Sequence, residues 1–139
     1  MGLSQKVRLK KMKRNHVVIT GTGRTGTTFL VQLFTKLGYD TGYDMDVQSR
    51  LTNSKSKGGL EHDLLLDDCP FIVKDPRFCI YADAAASRTD IKIDHVFLPV
   101  RDIRAATASR INNVDSSSGG LWRTKEKGEQ EGVLLKLLS

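Results

Sequence analysis

A short apolar segment followed by three closely spaced glycines constrains this chain more than any other part of its 139 residues. His16–Thr20 reads His-Val-Val-Ile-Thr, a β-branched run typical of a strand buried on both faces of a parallel sheet. The loop Gly21–Gly26 follows. Thr27–Leu37 then repeats apolar residues at helical spacing, which predicts a helix that ends at Gly38. The sequence therefore predicts a strand, a glycine-rich loop and a helix in direct succession.

Apolar strand-like runs alternate with helical patterns along the rest of the chain. Such alternation predicts an α/β fold, a three-layer parallel sheet with flanking helices. Three strands are fewer than a usual sheet contains, so we expect the fold to be incomplete. The segment 39–59 is predicted to be a long connection with little regular structure. The other predicted elements are a helix at Leu60–Asp68, a strand at Pro70–Lys74, a helix at 76–88 with Asp75 as N-cap, a strand at His95–Val100, and helices at Asp102–Ile111 and Glu129–Leu138.

The positive charge of the chain is concentrated at its start. Lys and Arg number 22 against 16 Asp and Glu, and six of the basic residues fall within residues 1–14, which contain no acid. The other 16 basic residues balance the 16 acidic ones. We therefore predict a mobile basic arm at 1–14 ahead of one domain at 15–139, the arm being either a solvated tail or attracted to phosphate-rich partners or anionic lipid. A nucleic-acid-binding function for the whole domain is not favoured.

The sequence also bears on compartment. No apolar stretch approaches the roughly 18 residues that would span a bilayer, and the basic arm lacks the apolar segment of a signal peptide. Cys69 and Cys79 have neither a zinc-binding spacing nor the number of a disulfide framework. A reducing, cytoplasmic setting is the expectation.

The segment Gly21–Thr28 has the context of a phosphate-binding loop, since glycines turn backbone N–H groups toward an anion and a helix start adds partial positive charge. It departs from the nucleotide-triphosphatase pattern G-x-x-x-x-G-K-[ST], because Thr27 stands in the lysine position. The cation is Arg24, inside the loop, which suits a smaller anion and needs no metal. There are two alternatives. The chain could be a P-loop nucleotide kinase with an altered lysine, or the segment could be a plain strand-to-helix turn that binds nothing.

Arg101 follows the third predicted strand, where open α/β sheets bind ligands. Ser109 lies about two helical turns, roughly 12 Å, further along the next helix. Both residues can touch one nucleotide if its phosphate lies along that helix. The alternative interpretation is that Arg101, Arg104 and Arg110 form a solvated helix face.

Three segments resemble PAPS-dependent sulfotransferases, which use 3′-phosphoadenosine 5′-phosphosulfate (PAPS). Arg24-Thr25-Gly26-Thr27-Thr28 is similar to that family's 5′-phosphosulfate loop, [KR]-[ST]-G-T-T. Arg101 and Ser109 match the spacing of its 3′-phosphate motif. Val73-Lys74-Asp75-Pro76 is similar to the K-D-P step of tyrosylprotein sulfotransferases and their bacterial relatives. The resemblance spans roughly Val17 to Ile111, and since full members are longer, we expect a C-terminal part to be missing.

The resemblance implies a P-loop type of nucleotide-binding fold and transfer of a sulfuryl group from PAPS to a hydroxyl or amine acceptor. It implies Arg24 and Lys74 as catalytic cations, with no metal, and a general base near Asp44 or Asp46; Glu61 and His62 are further candidates. The residues implied to bind the co-substrate are Gly23, Arg24, Thr25, Gly26, Thr27, Thr28, Arg101 and Ser109. A non-catalytic nucleotide-binding module or truncated inactive relative is the alternative, and a sheet edge left open would favour homo-oligomers.

Overall fold

A computed structural model describes residues 12–51 and 59–113 as three strands and four helices. The elements follow the order of an α/β fold. In chain order they are β1 (Arg14–Ile19), α1 (Thr27–Lys36), α2 (Met45–Leu51), β2 (Ile72–Lys74), α3 (Phe78–Ala86), β3 (Ile91–Phe97) and α4 (Ile103–Asn113).

The three strands form one parallel sheet in the order β2-β1-β3. β1 is central, and Val17, Val18 and Ile19 pair with residues of both neighbours. All three of these side chains are buried, which explains why this strand has a continuous apolar sequence rather than an alternating one. The predicted parallel sheet with flanking helices is confirmed.

Helices cover both faces of the sheet, and each face has its own core. Val18 and Val73 pack with Phe78 and Ala85 of α3 on one face. Val17, Ile19 and Ile72 pack with Val31 of α1 on the other. Burying one such aliphatic side chain contributes about 1.5–3 kcal/mol. Because successive side chains of β1 point to opposite faces, this one strand packs against the helices on both sides of the sheet. The carboxyl end of β1 is thereby held firmly where the loop to α1 begins.

All three strands have boundaries that differ from the sequence prediction: β2 begins at Ile72 rather than Pro70, and β1 ends at Ile19 rather than Thr20. β3 begins at Ile91, four residues before the predicted start, and ends at Phe97. In its first half, Lys92 and Asp94 alternate with buried or half-buried isoleucines and form an ion pair at 2.7 Å. The sequence prediction missed this part of the edge strand because it looked for a continuous apolar run. β1 begins at Arg14, which the prediction had placed in the basic arm.

The long connection after α1 contains one short helix, α2, that the sequence prediction missed. Asp44 explains it: its Oδ1 accepts a hydrogen bond from the N–H of Val47 at 2.6 Å, an N-cap interaction. Gln48 of this helix is buried and its amide contacts the hydroxyl of Thr35 on α1. α2 is therefore attached to the α1 side of the sheet.

The helix predicted at Leu60–Asp68 is wrong, because this segment forms turns. Asp63 contributes to the difference: its side chain accepts a hydrogen bond from the N–H of Leu65 and so competes with helical bonding. The helix predicted at 76–88 is shorter, α3 running from Phe78 to Ala86. The arm residues 1–11 and the helix predicted at Glu129–Leu138 lie outside the described residues.

Candidate anion-binding site

The glycine-rich loop, residues 21–26, connects β1 to α1 at the carboxyl end of the central strand. Its backbone is in the left-handed region at three residues, with φ of +77° at Gly23, +60° at Arg24 and +99° at Gly26. Gly26 is the N-cap of α1 and supplies no side chain to its first N–H groups. The start of α1 therefore keeps backbone donors that an anion can accept from.

Arg24 takes the left-handed conformation despite its side chain, which is uncommon outside glycine, asparagine and aspartate. Its Nε donates a hydrogen bond to Oγ of Ser109 on α4 at 3.1 Å. Burial, together with the charge of Arg101, lowers the pKa of the Arg24 guanidinium from its ordinary value. The loop thus holds a partly buried cation against a helix that begins 79 residues later, at Ile103.

Arg101 lies on the same side of the molecule as the glycine-rich loop. Its Nη1 donates to the backbone carbonyl of Arg24 across 3.4 Å. Arg101 is exposed and stands between β3 and α4, and Asp102 caps the helix by accepting from the N–H of Ala105 at 2.8 Å. The structure therefore brings Arg24, Arg101 and Ser109 into one cluster, although they come from two distant parts of the sequence.

Lys74 approaches the loop from its other flank, at the end of β2. Its Nζ donates to Oγ1 of Thr28 at 2.9 Å and to the carbonyl of Gly59 at 2.5 Å. Glu61 Oε1 lies 3.4 Å from the same Nζ. Burial lowers the pKa of Lys74, and the carboxylate of Glu61 opposes that shift. The structure thus places a buried ammonium beside the first turn of α1.

The carboxylates that the sequence singled out occupy different positions. Asp44 is exposed and caps α2, and Asp46 is exposed in the first turn of the same helix. Glu61 is the acid that contacts Lys74. His62 stacks on Tyr43 with ring centroids 4.8 Å apart. The acid beside the second cation is therefore Glu61 rather than the aspartate that caps α2.

Asp75, predicted to be an N-cap, is a buried anchor of the segment before α3. Its carboxylate accepts hydrogen bonds from the hydroxyl of Tyr81 and from the N–H of Arg77. Burial and this carboxylate raise the pKa of Tyr81. The helix proper begins at Phe78, so Asp75 holds the turn between β2 and α3 and thereby the backbone next to Lys74.

Sequence reasoning did not predict that Arg110 is buried. The alternative that grouped Arg101, Arg104 and Arg110 on a solvated helix face is wrong for Arg110, which is 6% exposed, and Arg101 precedes the helix and contacts the Arg24 carbonyl, whereas Arg104 is exposed on α4. A Cβ added at Gly23 would lie 3.4 Å from Arg110 Nη1. The signal was weak, because Arg110 directly follows Ser109 and only tertiary packing shows which way its side chain points.

Within residues 12–51 and 59–113, no cluster of three His, Cys, Asp or Glu side chains is arranged to hold a metal ion. In the same part of the chain, no helix has the length and apolar character needed to cross a membrane. Comparisons with protein families, with curated proteins and with solved structures found no match to this chain.

Proposed function

We propose that the chain binds a nucleotide carrying two separate anionic groups and acts as the nucleotide-binding part of a PAPS-dependent sulfotransferase. The observation that carries this proposal is the hydrogen bond from Arg24 to Ser109, with Arg101 on the carbonyl of Arg24. It joins the candidate 5′-phosphosulfate loop to the candidate 3′-phosphate residues. A single adenylate can then reach both groups, as the P-loop type of sulfotransferase fold requires.

The residues present fit such a ligand. A Cβ added at Gly26 would meet no atom within 4 Å, so space is open at the start of α1. The hydroxyl of Thr25 is buried and has no hydrogen-bond partner among the described residues. Arg24 and Arg101 make no ion pair with a carboxylate in residues 12–51 and 59–113. Backbone N–H groups of Thr25 to Thr28 and the Arg24 guanidinium would hold the 5′ end, and Arg101 with Ser109 the 3′-phosphate.

The proposed reaction is an in-line transfer. An acceptor hydroxyl or amine attacks the sulfur of the bound donor, its proton passes to a base, the sulfur–oxygen bond to the 5′-phosphate breaks, and adenosine 3′,5′-bisphosphate leaves. Negative charge then grows on the sulfuryl and leaving oxygens. Arg24 and the loop N–H groups stabilise that charge, and Lys74, held beside Thr28, supplies a second cation.

For the base, the proposal favours Glu61 over Asp44 and Asp46. Glu61 lies 3.4 Å from Lys74 and about half of its side chain is exposed, so an acceptor can approach it. Asp44 already accepts a hydrogen bond from the N–H of Val47, so capping α2 is a sufficient structural reason for an aspartate at this position. The acceptor would enter on this flank, opposite α4.

A nucleotide kinase is the second candidate, and one contact favours it. Lys74 reaches the hydroxyl of Thr28, so a lysine from another strand stands near the helix start where the P-loop lysine is missing. This candidate requires ATP with magnesium. A binding-only protein would take the bisphosphate without turnover.

The test is a parallel calorimetric titration of the chain with adenosine 3′,5′-bisphosphate and with ATP–magnesium. We expect tight bisphosphate binding that weakens at least about tenfold in Arg101→Ala, since a charge-assisted phosphate contact is lost. Arg104→Ala, which removes an exposed arginine from the first turn of α4, is the matched control and should bind like the wild type. A preference for ATP–magnesium would replace the sulfotransferase proposal with the kinase.

We extend the proposal to compartment and assembly. Cys69 and Cys79 are both free thiols, which supports a reducing, cytoplasmic setting. β3 has one strand neighbour in the described sheet, and Val96 on this strand and Leu98 just after it are each 48% exposed. An edge strand with exposed apolar residues on it and next to it supports association of copies.

A further inference from the structure

A segment that begins at Gly59 lies along the buried side chain of Lys74. The carbonyl of Gly59 accepts a hydrogen bond from Nζ at 2.5 Å, and the N–H of His62 donates to the carbonyl of Lys74 at 3.0 Å. Between them, Leu60 is buried with a φ of +64°, a backbone conformation that is unfavourable for leucine. Burial of Leu60 and the two hydrogen bonds to Lys74 therefore hold the backbone of Glu61 beside Lys74.

The carboxylate of Glu61 is held less firmly than its backbone. Its Oε1 lies 3.4 Å from Nζ of Lys74, beyond the roughly 2.7–2.9 Å of a charge-assisted hydrogen bond. The side chain of Glu61 is 51% exposed, whereas that of Lys74 is 5% exposed. An ion pair with one partner in solvent contributes little to stability. The carboxylate can therefore leave the ammonium at small cost.

Glu61 is the one carboxylate within ion-pair distance of Lys74 among the residues that the structure describes. The other two contacts of Nζ are neutral oxygens, the carbonyl of Gly59 and the hydroxyl of Thr28 at 2.9 Å. Burial lowers the pKa of Lys74 and Glu61 raises it, so an anion beside Nζ favours the charged ammonium. Thr28 is the second residue of α1, so Nζ lies at the helix start where the 5′ anionic group of the proposed nucleotide would bind.

We propose that Glu61 competes with the 5′ anionic group of the donor for Lys74: its carboxylate holds the position beside Nζ that this group takes on binding, and donor binding releases it for its role as base. This inference rests on the proposed function and adds to it a link between donor binding and the base. A phosphate or sulfate oxygen at hydrogen-bond distance replaces a carboxylate at 3.4 Å, and repulsion between the two anions moves the exposed carboxylate toward solvent.

The test compares Glu61→Gln with Asp83→Asn, which removes the charge of an exposed carboxylate on α3. Calorimetry measures the binding of adenosine 3′,5′-bisphosphate and of adenosine 3′-monophosphate, which lacks the 5′ group. We expect Glu61→Gln to bind the bisphosphate about two- to fivefold more tightly than the wild type, the strength of an ion pair with one exposed partner. Its affinity for the monophosphate should be unchanged, and Asp83→Asn should bind both nucleotides like the wild type.

Lys74→Met provides the second comparison, because direct competition requires the ammonium. In this background, adding Glu61→Gln should leave the affinity for the bisphosphate unchanged. A gain of the same size with Lys74→Met present would overturn the inference, and so would an equal gain for the monophosphate, since both results describe a general effect of charge. If Lys74→Met does not fold or does not bind, the comparison of the two nucleotides decides alone.

Two further outcomes separate this inference from the proposed function. A wild type that binds the bisphosphate and a Glu61→Gln variant that binds it no more tightly overturn the inference alone. If neither protein binds the bisphosphate, the proposed function fails and the inference fails with it.

Discussion

Arg24 and Ser109 are 85 residues apart in the chain, and in the structure the guanidinium Nε of one donates to the hydroxyl of the other at 3.1 Å. The contact closes a loop that begins at the carboxyl end of β1 and returns through α4. Parallel strands require this geometry, because the segments that follow β1 and β3 leave the sheet at the same edge. The two candidate phosphate sites are therefore neighbours.

Ser109→Ala tests whether this hydrogen bond orients Arg24 for binding. Without the hydroxyl, the guanidinium loses one fixed partner and samples more rotamers. We expect adenosine 3′,5′-bisphosphate affinity to fall about five- to tenfold, which corresponds to about 1–1.4 kcal/mol, the net contribution of one typical hydrogen bond. Ser87→Ala removes a hydroxyl that bonds a carbonyl at the end of α3 and should leave affinity unchanged. Equal affinities of all three proteins would show that the bond has no role in binding.

A second prediction separates the conformation of Arg24 from its charge. Because Arg24 has a φ of +60°, Arg24→Gly relieves a strain that Arg24→Ala retains. We expect the glycine variant to be more stable than the alanine variant by about 1 kcal/mol in urea unfolding. Both should lose bisphosphate affinity to the same extent, since both lack the guanidinium. An alanine variant as stable as the glycine variant would contradict the strain.

The buried ammonium of Lys74 gives stability a pH dependence. Its pKa is lowered mainly by burial, so below the unfolded value of 10.5 the unfolded chain binds more protons than the folded one. The stability of the wild type relative to Lys74→Met should therefore rise with pH as the pH approaches 10.5 from below. Glu61→Gln should enlarge that rise, because the carboxylate opposes the shift. Urea unfolding across this range measures it, and a difference that is flat or falls with pH contradicts it.

His16 makes the protein sensitive to mild acid. The ring is buried, its Nδ1 lies 2.7 Å from the carbonyl oxygen of Pro70, and burial lowers its pKa below 6.5. As pH falls through 6.5 the unfolded chain takes up a proton that the folded chain does not, so stability decreases. His16→Asn should remove this part of the acid sensitivity. His95→Asn, at an exposed position on β3, should retain it, and identical pH profiles for both variants would refute the assignment.

Asp75 holds the turn that positions Lys74. Asp75→Ala leaves the hydroxyl of Tyr81 and the N–H of Arg77 without their acceptor. We expect a loss of about 2–4 kcal/mol in the free energy of unfolding. Asp83→Ala, an exposed acid on α3, should change stability little. A double-mutant cycle with Tyr81→Phe measures the share of this one hydrogen bond, and additive effects would show that the pair is not coupled.

Local patterns in the sequence were enough to predict the central strand, the glycine-rich loop and the first helix, because a continuous β-branched run, left-handed glycines and a helical apolar repeat each determine their own backbone. The same patterns gave wrong predictions where long-range contacts determine the secondary structure. The first half of β3 is a strand because Ile91 and Ile93 pack on the α3 face while charged residues alternate with them. Leu60–Asp68 is not a helix because Asp63 bonds the backbone locally and Leu64 is drawn into the core.

The sequence by itself determined which residue types could meet an anion: a loop arginine, an arginine after a strand, and a serine two turns along a helix. Only the tertiary structure decided which of them lie together. It joined Arg24 to Ser109, placed Glu61 rather than Asp44 beside Lys74, and turned Arg110 inward while leaving Arg104 exposed. The physical reason is that residue spacing along one helix or strand determines only its local geometry. Which face of each element packs against its neighbours depends on the burial of both apolar faces of the parallel sheet.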